Sequence, residues 1–380
     1  MSLPARRAKA IFAHLAADRK LEAMPDVLLF RNATEPQLDL SFFYVTAVPG
    51  GIFEGSSVLC FPDGGVHLFT SPLEEESARK GKGYKVHVYG GKKSQGDLLK
   101  MTVKAEVGGD PATIGVNARE CTWANVVAIQ KLFPTSKIVD VSAAVKEARM
   151  VKDAAEVRAL QRAADAVSKA ALLVPDVLEK GMTEAELAAR VDYEVMRNGG
   201  DGRSFTTIVA FGPRTSEPHY HPKDIALTPE QYVLIDYGAF SERYASDMTR
   251  TWYFGKKPST KHRRIYDTVL AAQAIGFKAL RPGARSGKVH EKVEAYIDRT
   301  PFKGRFIHST GHTIGLSVHD GGTLHPAADV RIEPGHVWTC EPGIYIPGFG
   351  GVRIEDDVLI TRTGSRIMTT APREFHVVEP

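Results

Sequence analysis

Asp236, Asp247, His312, Glu341 and Glu355 have the residue types and the order of a ligand set for a two-metal hydrolytic site. Four carboxylates crowded into one pocket would repel one another and take up protons. Two divalent cations neutralise such a cluster and keep it ionised despite burial. Hard oxygen donors with a single imidazole suit Mn²⁺, Co²⁺, Fe²⁺ or Zn²⁺ and argue against a thiolate-rich structural zinc site. An isolated Asp or Glu is normally a solvated surface charge. In Leu234-Ile235-Asp236-Tyr237-Gly238 and Trp338-Thr339-Cys340-Glu341-Pro342-Gly343, however, the acid stands among apolar or small residues, where a buried charge needs a partner.

Two hairpins are needed to position these acids. Residues 232–239 and 245–254 have β-like composition, and the midpoint between Asp236 and Asp247 falls in Ser241-Glu242-Arg243. A turn there predicts that the two carboxylates face each other across the strands. The midpoint between Glu341 and Glu355 is Gly348, inside Pro347-Gly348-Phe349-Gly350-Gly351, the strongest turn signal nearby. Each hairpin is thus expected to present one pair of acids. His312 lies in Gly311-His312-Thr313-Ile314-Gly315, whose glycines let the backbone approach a ligand closely.

Helices flank both hairpins. Asp153 and Glu156 give a capping-box start to a long amphipathic helix reaching about residue 178. A second follows Thr183-Glu184-Ala185-Glu186 to about Asn198, where Gly199-Gly200-Asp201-Gly202 ends it. After a strand over 205–211 and the first hairpin, helices over 261–280 and 286–299 lead to the His312 segment and the second hairpin. This order predicts a pseudo-symmetric α+β domain, although no repeat is strong enough to establish duplication. The preceding part has a helical pattern through about Ala23, including Asp18 and Glu22. Short β-like runs follow at 27–30, 57–61, 66–69, 85–89 and 112–116, with helix-like segments between them. That alternation predicts an α/β domain. The boundary is placed to give domains of residues 1–147 and 148–380.

Five segments carry a family resemblance: Val233-Leu234-Ile235-Asp236-Tyr237-Gly238, Ser246-Asp247-Met248-Thr249-Arg250-Thr251, residues 308–320, Glu341-Pro342-Gly343-Ile344-Tyr345 and Gly351-Val352-Arg353-Ile354-Glu355-Asp356. They resemble the pita-bread metallopeptidase superfamily, peptidase family M24, in its branch of Xaa-Pro dipeptidases (prolidases) and Xaa-Pro aminopeptidases. The resemblance implies an α/β creatinase-like N-terminal domain followed by an α+β pita-bread catalytic domain. It also implies that Asp236 binds one metal, that His312 and Glu341 bind the other, and that Asp247 and Glu355 bridge them, with manganese favoured. His219 and His319 match positions that contact substrate and stabilise the tetrahedral intermediate, and His308 matches a position lining the substrate pocket. Arg353, two residues before Glu355 and so on the same strand face, would orient that carboxylate or bind a substrate carboxylate. Thr313 departs from the family pattern, which commonly has glycine there and so a different local pocket shape.

At 380 residues the chain has room for two domains, and 43% hydrophobic with 25% charged residues fits an ordinary globular protein. A formal net charge of +4, from 49 basic and 45 acidic residues, is too small to imply nucleic acid. The basic run from Lys256 to Arg264 reads as a solvated helix start. Cys60, Cys121 and Cys340, odd in number and widely spaced, favour a reducing compartment. Cys340 adjoins a ligand candidate but reads by default as a small packed residue. No apolar run is long enough for a membrane helix, and no signal-peptide core opens the chain, so the cytoplasm is expected.

The implied reaction is hydrolysis of a peptide bond adjacent to proline by a metal-bridging hydroxide, with Glu341 transferring the proton. Substrates would be proline-containing dipeptides or oligopeptides, and the resemblance implies a homodimer. Two other activities share the fold: a creatinase-like C–N hydrolase, against which five intact ligands count, and a non-catalytic binding module, which usually loses ligands.

Overall fold

The hairpins and helices around the five ligand candidates fall in the second of two compact units, Met1–Arg149 and Met150–Pro380, of the computed structural model, which describes residues 1–380 except Lys20 and Glu22. The first unit contains a six-stranded mixed sheet in the spatial order Lys85–Val88, Val66–Thr70, Ser57–Cys60, Val27–Arg31, Thr113–Val116 and Lys137–Asp140. Val27, Leu29, Leu59, Phe69 and Ile114 from this sheet pack with Leu99, Val103 and Ile129 from its helices. The last strand escapes a sequence reading because Lys137 and Asp140 leave only Ile138 and Val139 as an apolar signal. The opening helix spans Leu3–Ala17 rather than reaching Ala23. It stops where Asp18 turns extended, at φ −81° and ψ 103°, and donates its N–H to Leu15; Glu22 lies outside the described residues.

In the second unit, helices Ala154–Val177 and Glu184–Arg197 begin at the expected capping boxes. The Asp153 carboxylate accepts from the Ala155 and Glu156 N–H groups, and Glu156 accepts in return from Asp153. Ala163, Val167, Ala170 and Val174 of the first helix and Leu187, Val191 and Val195 of the second pack on Val209, Phe211, Val233, Ile235 and Tyr237. Complete burial of a residue such as Ile235 contributes about 2 kcal/mol. Because side chains alternate along a strand, this packing turns Asp236 to the opposite face. The second helix pair, Thr260–Ala279 and Ser286–Ile297, buries Ile265, Val269, Ala272, Val293 and Ile297 against Tyr232, Tyr253, Ile344, Val352 and Ile354. One apolar cluster thereby joins residues of both hairpins.

The first hairpin pairs Gln231–Tyr237 with Met248–Phe254 and continues as Ala239–Ser241 against Tyr244–Ala245. Its turn is Glu242-Arg243, both at positive φ, 47° and 71°, the hand that matches the twist of paired strands. The register corrects one expectation: Asp236 stands opposite Thr249, not Asp247. The ladder is interrupted at Gly238 and at Ser246-Asp247 without a change of register, and Asp247 stands level with Gly238, two residues before the position facing Asp236, because the turn centres one residue beyond the midpoint of the two aspartates. A side chain at position 238 would collide with Ser204 Oγ and the Ser246 carbonyl, so the break requires glycine.

The second hairpin has two ladders in one register. Gly343 pairs with Arg353 on the turn side of the interruption, and Cys340 pairs with Asp356 on the other side. Glu341 and Glu355 therefore stand level with each other in the unladdered step between them. Both hairpins carry acids where strand pairing is interrupted.

Candidate metal centre

Five side chains converge from three segments. Asp236 and Asp247 come from the first hairpin, Glu341 and Glu355 from the second, and His312 from the segment between the second helix pair and that hairpin. The His312 segment is stitched to the strand Val337–Cys340: the His312 N–H donates to Thr339 Oγ1 at 3.0 Å, and the Thr339 N–H donates to the His312 carbonyl at 2.7 Å. Gly311 passes so close to the Thr339 carbonyl that a side chain there would collide with it. Thr313 is fully buried, and its hydroxyl accepts from the Gly322 N–H at 2.7 Å.

His312 Nε2 lies 3.5 Å from Asp247 Oδ2 and 3.6 Å from Glu341 Oε1. Ligand atoms of Asp247, His312 and Glu355 fall within 4.8 Å of one another. Asp236 Oδ1, Asp247 Oδ1 and Glu355 Oε1 are buried without a hydrogen-bond partner. Orphaned carboxylate oxygens of this kind are strongly disfavoured unless a cation meets them.

The electrostatics carry the same message. Burial, reinforced by Glu355, Asp236 and Glu341, holds the Asp247 carboxyl well above the usual range. Glu355 is raised by burial and by Glu341 and Asp236, despite the opposing pull of Arg353 and Thr249. Burial pushes Glu341 up to about 8 against the influence of Arg353, with Asp236 adding to the rise. His312 is pushed down to about 3 by burial and then by His319, so its imidazole is neutral and available as a ligand. Carboxyls that resist ionisation beside a neutral imidazole fit a divalent cation, whose charge would reverse the penalty. All five positions offer oxygen or nitrogen, as harder divalent ions prefer.

Arg353 is buried and fully engaged. Its Nη2 donates to Asp236 Oδ2 at 2.6 Å, its Nε to Thr249 Oγ1 at 3.0 Å and its Nη1 to the Tyr345 hydroxyl at 2.9 Å. Burial works against its charge, but Tyr345, Asp236, Glu355 and Glu341 outweigh that and hold it protonated. Arg353 thus orients Asp236 across the hairpins, and the bond to Glu355 comes from the Thr249 hydroxyl at 2.7 Å. Arg353 and Glu355 stand two residues apart on one hairpin, but the carboxylate that Arg353 binds, Asp236, comes from the opposite hairpin.

His308 Nε2 meets the Tyr345 hydroxyl at 2.8 Å, and its Nδ1 lies 2.8 Å from the Ser309 carbonyl and 3.8 Å from Glu341 Oε2. Burial and then Arg353 lower its pKa to about 3. The His319 ring centroid lies 4.2 Å from that of His312. His319 and His219 are both exposed. His219 is near enough to depress both His308 and His319, for which burial is the larger cause. The structure thus brings every sequence-selected residue to one locality, with His219 in electrostatic contact with both His308 and His319.

Sequence reasoning missed Thr249, Tyr345 and Asp357. Asp357 is buried and accepts from the Asp247 N–H at 3.3 Å. Thr249 had a signal, since its position faces Asp236 once the hairpin register is known. Cys340 is the packed residue of the default reading: it is fully buried, and burial raises its thiol well above the ordinary range.

Paired hairpins that focus three buried acids, the half-buried Glu341 and a neutral histidine on one locality define a metal-dependent hydrolase. The model of metallopeptidase family M24 matches residues 158–362, and that of the creatinase/prolidase N-terminal domain matches residues 27–151. The chain belongs to metallopeptidase family M24. It is 37% identical over 239 residues to the Xaa-Pro dipeptidase of Pyrococcus furiosus, covering 63% of this chain and 68% of that protein. The Xaa-Pro dipeptidase from Bacillus anthracis has a similar structure, with a TM-score of 0.87 and 28% identity, over 98% of this chain and 99% of that one. The X-Pro aminopeptidase from Thermotoga maritima gives a TM-score of 0.86 and 30% identity, over 93% and 98% of the two chains.

Proposed function

We propose that this metallopeptidase is a dinuclear exopeptidase that cleaves the bond joining a residue to a following proline, acting on Xaa-Pro dipeptides. The observation that carries the reading is the set of orphaned oxygens on Asp236, Asp247 and Glu355 beside the neutral His312. Asp236 would serve one cation, His312 and Glu341 the other, and Asp247 and Glu355 both. The bound cations, with manganese favoured, would supply Lewis acidity toward the scissile carbonyl and toward water.

The chain's own residues do the rest. Arg353 and Thr249 fix the carboxylates of Asp236 and Glu355, so the ligand geometry is set before substrate arrives. Glu341 presents one oxygen to His312 and the other toward His308, which suits it to accept a proton and pass it to the departing amine. His219 and His319, both exposed, would donate hydrogen bonds to the developing oxyanion. His308, held by Tyr345, would line the substrate pocket. An imide bond to proline has no N–H, so recognition by strand pairing fails and a dedicated pocket is required.

Names of relatives support dipeptides first, and the similarity to the Thermotoga maritima aminopeptidase supports longer peptides as the second reading. An assay of Xaa-Pro dipeptides beside Xaa-Pro-Xaa tripeptides, with added Mn²⁺ or Co²⁺, separates them. Turnover of dipeptides alone selects the dipeptidase, and turnover of tripeptides selects the aminopeptidase. Full activity after complete chelation would sink the metal mechanism. A homodimer is proposed with this activity, and sedimentation of the purified protein tests it.

A further inference from the structure

Glu184 is a fully buried carboxylate that belongs to no part of the metal cluster. It is the first residue of helix Glu184–Arg197, where the helix N-terminus favours negative charge. Its Oε1 accepts from the Phe211 N–H at 3.0 Å. Its Oε2 accepts from the Tyr220 hydroxyl at 2.9 Å and from the Lys223 N–H at 3.2 Å. The adjoining backbone adds Glu184 N–H to the Ile225 carbonyl and Ala185 N–H to the Lys223 carbonyl, each at 3.1 Å.

These partners bracket one loop. Phe211 ends the strand Ile208–Phe211, Lys223 lies beyond the loop, and between them Tyr220 follows His219 directly. The front half of the loop is fixed separately: Thr215 Oγ1 donates to the Gly212 carbonyl and accepts from the Gly351 N–H of the second hairpin, both at 2.7 Å. His219 is thus exposed at the tip of a segment pinned on one side to the hairpin carrying Arg353 and on the other to Glu184.

We propose that Glu184 is a positioning residue for His219: by holding both ends of the loop and the neighbouring Tyr220, it fixes where the His219 imidazole meets the substrate. This rests on the reading of His219 as a substrate-contacting group. Substitution by glutamine keeps the size of the side chain but turns an amide NH₂ toward one of the three donors, which leaves that donor without an acceptor. Misplacing a substrate-contacting group by about 1 Å lowers turnover by up to about 100-fold.

The test is a double-mutant cycle on kcat/KM for an Xaa-Pro dipeptide in the Mn²⁺-loaded full chain, using Glu184→Gln and His219→Ala. Glu184→Gln alone should reduce kcat/KM about 10- to 100-fold, and should have little further effect once His219 is alanine. Ser259→Ala, which removes the N-terminal cap of helix Thr260–Ala279 on another element, is the control for simple destabilisation and should lower Tm with kcat/KM retained. A Glu184→Gln enzyme within twofold of wild type, or one whose full loss persists in the His219→Ala background, overturns the proposal. If Glu184→Gln does not fold, Tyr220→Phe takes its place in the same cycle under the same two criteria. Amide hydrogen exchange at Phe211 and Lys223 reads the anchoring without substrate: protection should fall in the variant, and unchanged protection also overturns it. A wild type that cleaves no Xaa-Pro peptide would instead defeat the functional reading, and the exchange measurement would still decide the anchor.

Discussion

Arg353 Nη2 donates to Asp236 Oδ2 at 2.6 Å, joining two residues 117 positions apart and on different hairpins. Through Thr249, which accepts from Arg353 Nε and donates to Glu355, the same guanidinium reaches a second carboxylate of the cluster. One planar donor set therefore fixes the relative placement of acids that the chain supplies separately.

Arg353→Lys should fold, because a cation remains near Asp236, but a lysine cannot meet Asp236, Thr249 and Tyr345 together. Metal affinity or kcat/KM should fall about 10- to 100-fold, as for other groups that orient metal ligands. Metal titration by calorimetry and dipeptide kinetics check this, and wild-type values for both would contradict it.

Asp247→Asn and Glu355→Ala should each abolish turnover by removing a ligand proposed to serve both metals. Asp247→Asn should also make the metal-free protein more stable, because it removes a carboxyl that burial and Glu355 hold far from its preferred ionised state. Chemical denaturation in chelator at pH 8 tests this second effect. A loss of stability there would count against the electrostatic account.

Metal binding should depend on pH in a defined direction. Glu341 has its folded-state pKa raised from 4.5 to about 8, so its contribution to the stability of the metal-free protein is full below pH 4.5 and is lost as pH rises through about 8. A cation must displace that proton, so binding releases protons and strengthens with rising pH. Added Mn²⁺ should raise Tm more at pH 8 than at pH 6, and chelation at pH 8 should remove activity that Mn²⁺ or Co²⁺ restores. An equal rise in Tm at both pH values would argue against a protonated acid cluster.

The N-terminal unit should weaken in acid for a different reason. His67 is buried, with Nδ1 3.0 Å from His87 Nε2 and Nε2 3.2 Å from Glu106 Oε1. Burial, then Lys85 and His87, lower its pKa from 6.5 to about 4, although Glu106 and Asp63 oppose the shift. Between these values the unfolded chain binds more protons, so stability is full above pH 6.5 and is lost as pH falls through about 4. His67→Gln should flatten the pH dependence of unfolding in that window by up to about 1.4 kcal/mol per pH unit. An unchanged slope in urea titrations would exclude His67 as a contributor.

The sequence alone determined the five ligand candidates, both hairpin turns and the two helix pairs, because these depend on local chemistry. Gly348 within a turn-forming run, Asp153 with Glu156, and an acid inside an apolar strand each act over a few residues. Tertiary structure decided which groups meet. Register gave Asp236 Thr249 rather than Asp247 as its cross-strand neighbour, since the turn centres on Glu242-Arg243, one residue beyond the midpoint of the two aspartates, and a one-residue move of the turn shifts the pairing by two. It also gave Arg353 to Asp236, left Thr249 to Glu355, and brought Glu184 beneath the His219 loop. Such partnerships join residues from 36 to 117 positions apart. They exist only after helix packing has brought the elements together, and no local pattern encodes that distance.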